Sequence, residues 1–252
     1  MHPRNIERQF GISQDLGFEN LVVSGCSFTY NNSETQAVAW PYYLRDLANI
    51  NTVHDLSVPG AGNNHIHAST ICFLDSNPHL SSTKTLVLIC LSGNDRDDFL
   101  VTPSSTSEYP VDYEYAKGTV LGLSGGDKFT GNLPQVTSVQ KWKDKHTRAL
   151  ENYIAVRSLY TYLSILKCKF VLFQYRDYTL PALDNSFDLL PYLPTSLAAN
   201  YRSMVHDWSE DLYSFCFKKD LIEDDDYHPS PNGHLRWTRE ILLPELESYI
   251  VL

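Results

Sequence analysis

Apolar residues along this chain form two kinds of pattern. The first is the short unbroken run: Leu21-Val22-Val23, then Thr85-Leu86-Val87-Leu88-Ile89-Cys90-Leu91, then Phe170-Val171-Leu172-Phe173. A short apolar run bounded by turn formers reads as a strand covered on both faces, as in a parallel sheet. A shorter strand fits 52–58, and 212–217 reads as a weak fifth strand. The second pattern is helical spacing. Trp40, Tyr43, Leu44 and Leu47 recur on one face of 37–48, with Pro41 near its start. Ile66, Thr70, Phe73 and Leu74 mark a second helix, and Leu150, Ile154, Leu159 and Leu163 a long one over 141–168. Residues 196–208 and 235–250 complete the set, with Pro244 expected to bend the last helix. Strands that alternate with helices predict a three-layer α/β sandwich around a mainly parallel sheet.

Between about 101 and 139 the pattern lapses. Ser, Thr, Gly, Tyr and Pro dominate, which predicts an irregular insertion with a hairpin around Gly125-Gly126. Insertions of this kind often serve as lids or binding loops. No internal repeat or linker divides the chain, so residues 1–252 are expected to form one domain carrying that insertion.

Composition narrows the function classes. At 42% hydrophobic and 20% charged residues, the 252-residue chain is of globular type and long enough to bury a sizeable core. Its net charge of −10 argues against a nucleic-acid partner. The first ten residues lack an apolar signal core, and no segment has the length of a membrane span, so a cytoplasmic protein with no membrane partner is expected. Five scattered cysteines without a C-x-x-C pair fit reduced thiols better than disulfides or a zinc site.

The chemistry lies at strand ends. Leu21-Val22-Val23-Ser24-Gly25-Cys26-Ser27 reads as a buried strand that stops in a tight turn, with Ser27 just past it. In parallel α/β sheets, ligands bind outside the carboxyl ends of the strands. A serine there lies near backbone N–H groups that favour developing negative charge. Far along the chain, Asp224-Asp225-Asp226-Tyr227-His228-Pro229-Ser230-Pro231-Asn232-Gly233 reads first as a solvated acidic loop with a surface histidine. It has a second reading. Asp225 and His228, three apart, have the spacing at which a carboxylate holds one ring nitrogen and leaves the other to take a proton from a serine.

Four blocks, in order, resemble those of the SGNH (GDSL-type) hydrolases, a superfamily of esterases, lipases, acetylhydrolases and related transferases. They are Gly25-Cys26-Ser27-Phe28-Thr29, Pro59-Gly60-Ala61-Gly62, Ser92-Gly93-Asn94-Asp95 and Asp225-Asp226-Tyr227-His228-Pro229. The resemblance implies Ser27 as nucleophile, with Asp225 and His228 completing the triad. It implies an oxyanion hole made by the Ser27 and Gly60 N–H groups and the Asn94 amide. It also implies a flavodoxin-like, five-stranded sheet of order 2-1-3-4-5, which brings the loops after strands one, two and three to one rim. The implied substrate is a small-molecule or carbohydrate ester with a small acyl group such as acetyl, cleaved without metal or organic cofactor. Two related readings stay open: an O-acyltransferase to a sugar hydroxyl, and an inactive carbohydrate-binding or structural module on the same fold. The oligomeric state is left open.

Two positions depart from the family pattern: Cys26 stands where an Asp is usual, and Ser92 where a Gly is usual. Neither supplies a catalytic atom. Cys26 is a rival nucleophile, but as the chain neighbour of Ser27 it is expected to point elsewhere. The Gly-x-Ser-x-Gly elbow of α/β-hydrolases does not fit, since the pattern here ends in Thr29 and acid and base share one loop. His65-x-His67 offers two metal ligands without a third at matching spacing, so no metal is expected. Asp95, Asp97 and Asp98 read as a polar loop rather than a cation site, and Tyr109, Tyr113 and Tyr115 as aromatic residues able to pack the insertion or stack on a sugar.

Overall fold

The computed structural model describes residues 15–31, 38–93, 97–101, 119–123, 145–176, 190–223 and 228–250. In chain order the elements are β1 (Asn20–Ser24), α1 (Trp40–Leu47), β2 (Thr52–Asp55), α2 (Asn63–Ser76), β3 (Thr85–Leu91), β4 (Asp97–Val101) and β5 (Thr119–Leu123). They continue with α3 (Lys145–Ile165), β6 (Lys169–Gln174), α4 (Thr195–Met204), α5 (Leu212–Lys218), α6 (Pro231–Trp237) and α7 (Leu243–Ile250).

Four strands make a parallel sheet of order β2-β1-β3-β6. Val22 is level with His54 of β2 on one side and Val87 of β3 on the other, and Leu88 of β3 with Val171 of β6. All seven residues of β3 are buried, as its unbroken apolar run demands. The strand pleat divides the core in two. Leu21, Val23, Leu86, Leu88 and Phe173 pack with Trp40 and Leu44 of α1 and with Trp237 and Leu246 near the C-terminus. Val22, Val87, Ile89 and Leu172 pack on the opposite side with Ile66 of α2, Leu159 of α3 and Tyr201 of α4. Helices therefore cover both sheet faces, the expected sandwich.

Helix ends follow local chemistry. After α1, Asn49 takes φ 55° and the Ile50 N–H returns to the Arg45 carbonyl at 2.9 Å. After α5, Asp220 takes φ 55° and the Leu221 N–H returns to the Cys216 carbonyl at 2.9 Å. Both are left-handed C-terminal caps that satisfy orphan carbonyls. Pro244 leaves its mark upstream of itself. It cannot donate to the carbonyl four residues back, and the preceding turn, Thr238–Leu242, widens into a π-helix.

One expectation needs correction. Residues 212–217 are not a strand but most of α5. Tyr213, Phe215 and Phe217 alternate like a strand, yet Phe217 is 63% exposed while Leu212, Phe215 and Cys216 are at most 1% exposed. That is helical spacing, and the Asp211 side chain caps the helix by accepting from the Ser214 N–H at 2.7 Å. Beside β6, among the described residues, stands a single bridge, in which the His206 N–H donates to the Leu172 carbonyl at 2.7 Å. In the expected insertion, β4 and β5 pair antiparallel, with Phe99 level with Leu121. β4 thus starts at Asp97, just before the start of the expected insertion. Gly125-Gly126, Asp95, Tyr109, Tyr113 and Tyr115 lie outside the described residues.

Among the described residues, no helix is long and apolar enough to cross a membrane.

Candidate active site

β1 runs straight into the turn that carries Ser27. After Gly25 the chain folds back at once: the Thr29 and Tyr30 N–H groups donate to the Cys26 carbonyl at 2.9 and 3.1 Å. Cys26 is fully buried within the core, whereas Ser27 is half-buried at the rim. Gly25 is required by close approach. A Cβ there would overlap the Thr29 hydroxyl and stand 3.1 Å from the Cys90 carbonyl oxygen of β3. Gly25→Ala is therefore expected to lower stability by about 1–3 kcal/mol, an overpacking cost. A melting temperature equal to wild type would show that the turn has room to shift.

The loop after β2 is tied to that turn. The Leu56 N–H donates to the Val23 carbonyl at 2.8 Å, and the Val58 N–H to the Gly25 carbonyl at 3.0 Å. The chain then reverses over 58–61, closed by the Ala61 N–H donating to the Val58 carbonyl at 3.1 Å. Pro59 second and Gly60 third, with φ 82° at Gly60, make this a type II turn. Only glycine takes that φ without strain. Ala61 supplies the turn's hydrogen bond, so the turn does not consume the Gly60 N–H. Asp55 closes the base of the loop, accepting from the Ser57 N–H at 3.0 Å and from its hydroxyl. Burial pushes the Asp55 carboxyl above its usual range, opposed by these bonds and by the Tyr42 hydroxyl.

His228 arrives from the other end of the chain on a short ribbon. The Glu223 N–H donates to the His228 carbonyl and the Ser230 N–H to the Leu221 carbonyl, each at 2.8 Å. Ser230 then caps α6, accepting from the Gly233 N–H at 3.1 Å, with Pro231 at the first helical position. A Cβ on Gly233 would press on Cys216 Sγ at 2.8 Å and the Leu221 carbonyl at 2.9 Å, so glycine lets α6 seat against the ribbon.

These placements bring His228 Nε2 to 2.8 Å from Ser27 Oγ, across 201 positions of sequence. The imidazole also stacks on Phe28, with ring centroids 4.6 Å apart, and Phe28 stacks on Tyr175 at 3.9 Å. Tyr213 meets Phe28 edge-on, and the Arg176 guanidinium lies over Tyr213 at 5.0 Å. The ring stack limits how the imidazole can turn, which holds Nε2 toward the hydroxyl. Behind it, in α6, His234 is 7% exposed; burial and the charge of His228 push its pKa down to about 3.

Of the expected site residues, Ser27 and His228 meet, and Gly60 lies in the turn bonded to Gly25. Asn94 and Asp225 fall outside the described residues. His65 and His67 do not form a pair. Two positions apart on α2, they face different ways: His65 is buried, and His67 Nε2 meets Ser158 Oγ at 3.0 Å. Among the described residues no group of three or more His, Cys, Asp or Glu could hold a metal ion. The Phe28–Tyr175 stack was not foreseen. Its only trace in the sequence is an aromatic residue directly after β6, at the same sheet rim. A cavity of about 180 Å³ opens farther along that rim, lined by Gln174, Arg176, Arg202 and Trp208 among others; Ser27, Gly60 and His228 do not line it.

No protein-family model matches the sequence, and no curated protein matches it either. Solved structures do. The psychrotrophic esterase EstA from Pseudoalteromonas sp., in a structure inhibited by monoethylphosphonate, is 12% identical with a TM-score of 0.52, over 93% of this chain and all of that one. Protein YxiM from Bacillus subtilis matches at 12% identity and a TM-score of 0.48, over 95% of this chain and 58% of that one. Phospholipase A1 from Streptomyces albidoflavus matches at 13% identity and a TM-score of 0.40, over 92% and 99%. The chain shares its fold with the esterase EstA, the α/β sandwich implied by its resemblance to the SGNH hydrolases.

Proposed function

We propose that this protein is a serine ester hydrolase of the SGNH type. The observation that carries the reading is the 2.8 Å contact between Ser27 Oγ and His228 Nε2 at the carboxyl rim of a parallel sheet. In the proposed reaction His228 takes the Ser27 proton as Oγ attacks the ester carbonyl carbon. The tetrahedral oxyanion is received by the Ser27 and Gly60 N–H groups and the Asn94 amide. Asp225 holds the imidazolium, which then returns the proton to the leaving alcohol. Water, activated by the same imidazole, releases the acyl group and regenerates Ser27. The likeness to EstA, described as an esterase, supports the reading at the level of fold.

The test is covalent labelling with a fluorophosphonate probe, followed by mass spectrometry. Modification of Ser27, lost in Ser27→Ala and in heat-unfolded protein, is the expected result. A folded protein that takes up no probe would point instead to a binding or structural module. Product analysis with and without a sugar acceptor then separates release to water from transfer to a hydroxyl.

A further inference from the structure

Asn63, the first residue of α2, is 2% exposed and makes a bonding pattern that the reaction above does not use. Its Oδ1 accepts from the Ser92 N–H at 2.8 Å, and its Nδ2 donates to the Ser92 carbonyl at 3.2 Å. The side-chain amide therefore pairs with the Ser92 backbone at two points, as a neighbouring strand would. The same Nδ2 donates to Asn152 Oδ1 of α3 at 2.8 Å, and Asn152 Nδ2 is itself held by the Arg148 carbonyl at 3.0 Å. Ser92 is fully buried and stands just past β3, beyond the last residue pair with β6, Leu91 with Gln174. In sequence Asn63 is three residues after Gly60, and Ser92 is two residues before Asn94.

We propose that Asn63 is a positioning residue for the oxyanion side of the site, fixing the Gly60 turn in register with the end of β3. The inference rests on the reading of Ser27 and Gly60 given above. Both donor hydrogens of the Asn63 amide are committed, so it acts through the two segments it joins and does not touch substrate. An unbonded amide at this depth would be costly, and an apolar side chain of similar volume would leave the Ser92 N–H and carbonyl without these partners. Oxyanion donors must stand at 2.7–3.1 Å from the oxygen that becomes charged, so misplacing the segments that carry them weakens transition-state binding more than ground-state binding.

The experiment compares full-length wild type, Asn63→Ala, Asn152→Ala and Ser27→Ala by steady-state hydrolysis of p-nitrophenyl acetate, with melting temperature recorded for each. Asn63→Ala should lower kcat on the order of 100-fold, with KM within about twofold, because the lost interaction is specific to the transition state. Asn152→Ala, which removes one acceptor and leaves the Ser92 pair, should show a several-fold fall of the same kind. It decides the matter if Asn63→Ala does not fold. Wild-type kcat in both Asn variants beside an inactive Ser27→Ala overturns the inference and leaves the Ser27 reading standing. So does a loss shared between kcat and KM, or one that only follows the unfolded fraction. Full turnover by Ser27→Ala overturns the reading itself, and the inference with it.

Discussion

Ser27→Ala should lower ester turnover by roughly 10³–10⁶-fold, the range in which triads fail when the nucleophile is removed. Its melting temperature should stay near that of wild type. Ser27 is only half-buried, and its turn is held by backbone bonds to the Cys26 carbonyl that a methyl side chain leaves intact. His228→Gln should cost a comparable factor, and the double variant little more than either single one. In the proposed mechanism the hydroxyl and imidazole act as one unit, so removing the second member of a broken unit removes nothing further. Additive losses would mean that the two side chains act separately and that the 2.8 Å contact is not the working one. The same assay ranks the acids. Asp225→Asn should be severe, about 10⁴-fold by analogy with other triads; Asp224→Asn and Asp226→Asn should stay within a few-fold. The opposite ranking would move the acid to a neighbour. A Ser27→Ala variant within about tenfold of wild type would reject the nucleophile altogether.

Much of this architecture was legible because burial on two faces leaves a plain mark. The unbroken run at 85–91 became β3, and the stops after β1, β2 and β3 became the rim that carries Ser27, Gly60 and the segment leading to Asn94. Partnerships were less legible. Tyr213, Phe215 and Phe217 alternate as a strand would, and only the Asp211 cap and the exposure of Phe217 show why a helix forms instead. Nothing local to His206 signals that it bridges to Phe173 of β6. Asn63 follows a Gly-rich turn, where an asparagine is ordinarily a surface turn former. That its amide spans to Ser92 and Asn152 depends on residues 29 and 89 positions away. The stack of Tyr175, Phe28 and His228 likewise joins three distant segments, each unremarked on its own.

Acid should weaken the fold over a window opening near pH 6.5, through a residue that takes no part in bond making. In the unfolded chain the His234 imidazole titrates near 6.5. In the folded protein it is pushed down to about 3, first by burial and then by the neighbouring charge of His228. Above pH 6.5 both states carry it neutral, and it contributes no pH dependence. Below that, the unfolded chain binds a proton that the folded protein refuses, so stability falls with pH by about 1.4 kcal/mol per unit until the folded group also titrates near 3. Over two units this is a large share of the 5–15 kcal/mol that holds a typical domain. Urea unfolding at pH 7.5, 6.0 and 5.0 should show this slope in wild type and a shallower one in His234→Gln, whatever that variant loses at pH 7.5. Parallel slopes would mean that His234 is protonated inside the fold or that other groups govern the acid limb. The same neutrality bears on the proposed chemistry. His228 must become positively charged when Ser27 attacks, and a second imidazolium beside it, within a poorly solvated core, would oppose that charge at the moment it forms. Burying His234 deeply enough to keep it neutral removes the conflict, at the cost of a fold that weakens in acid.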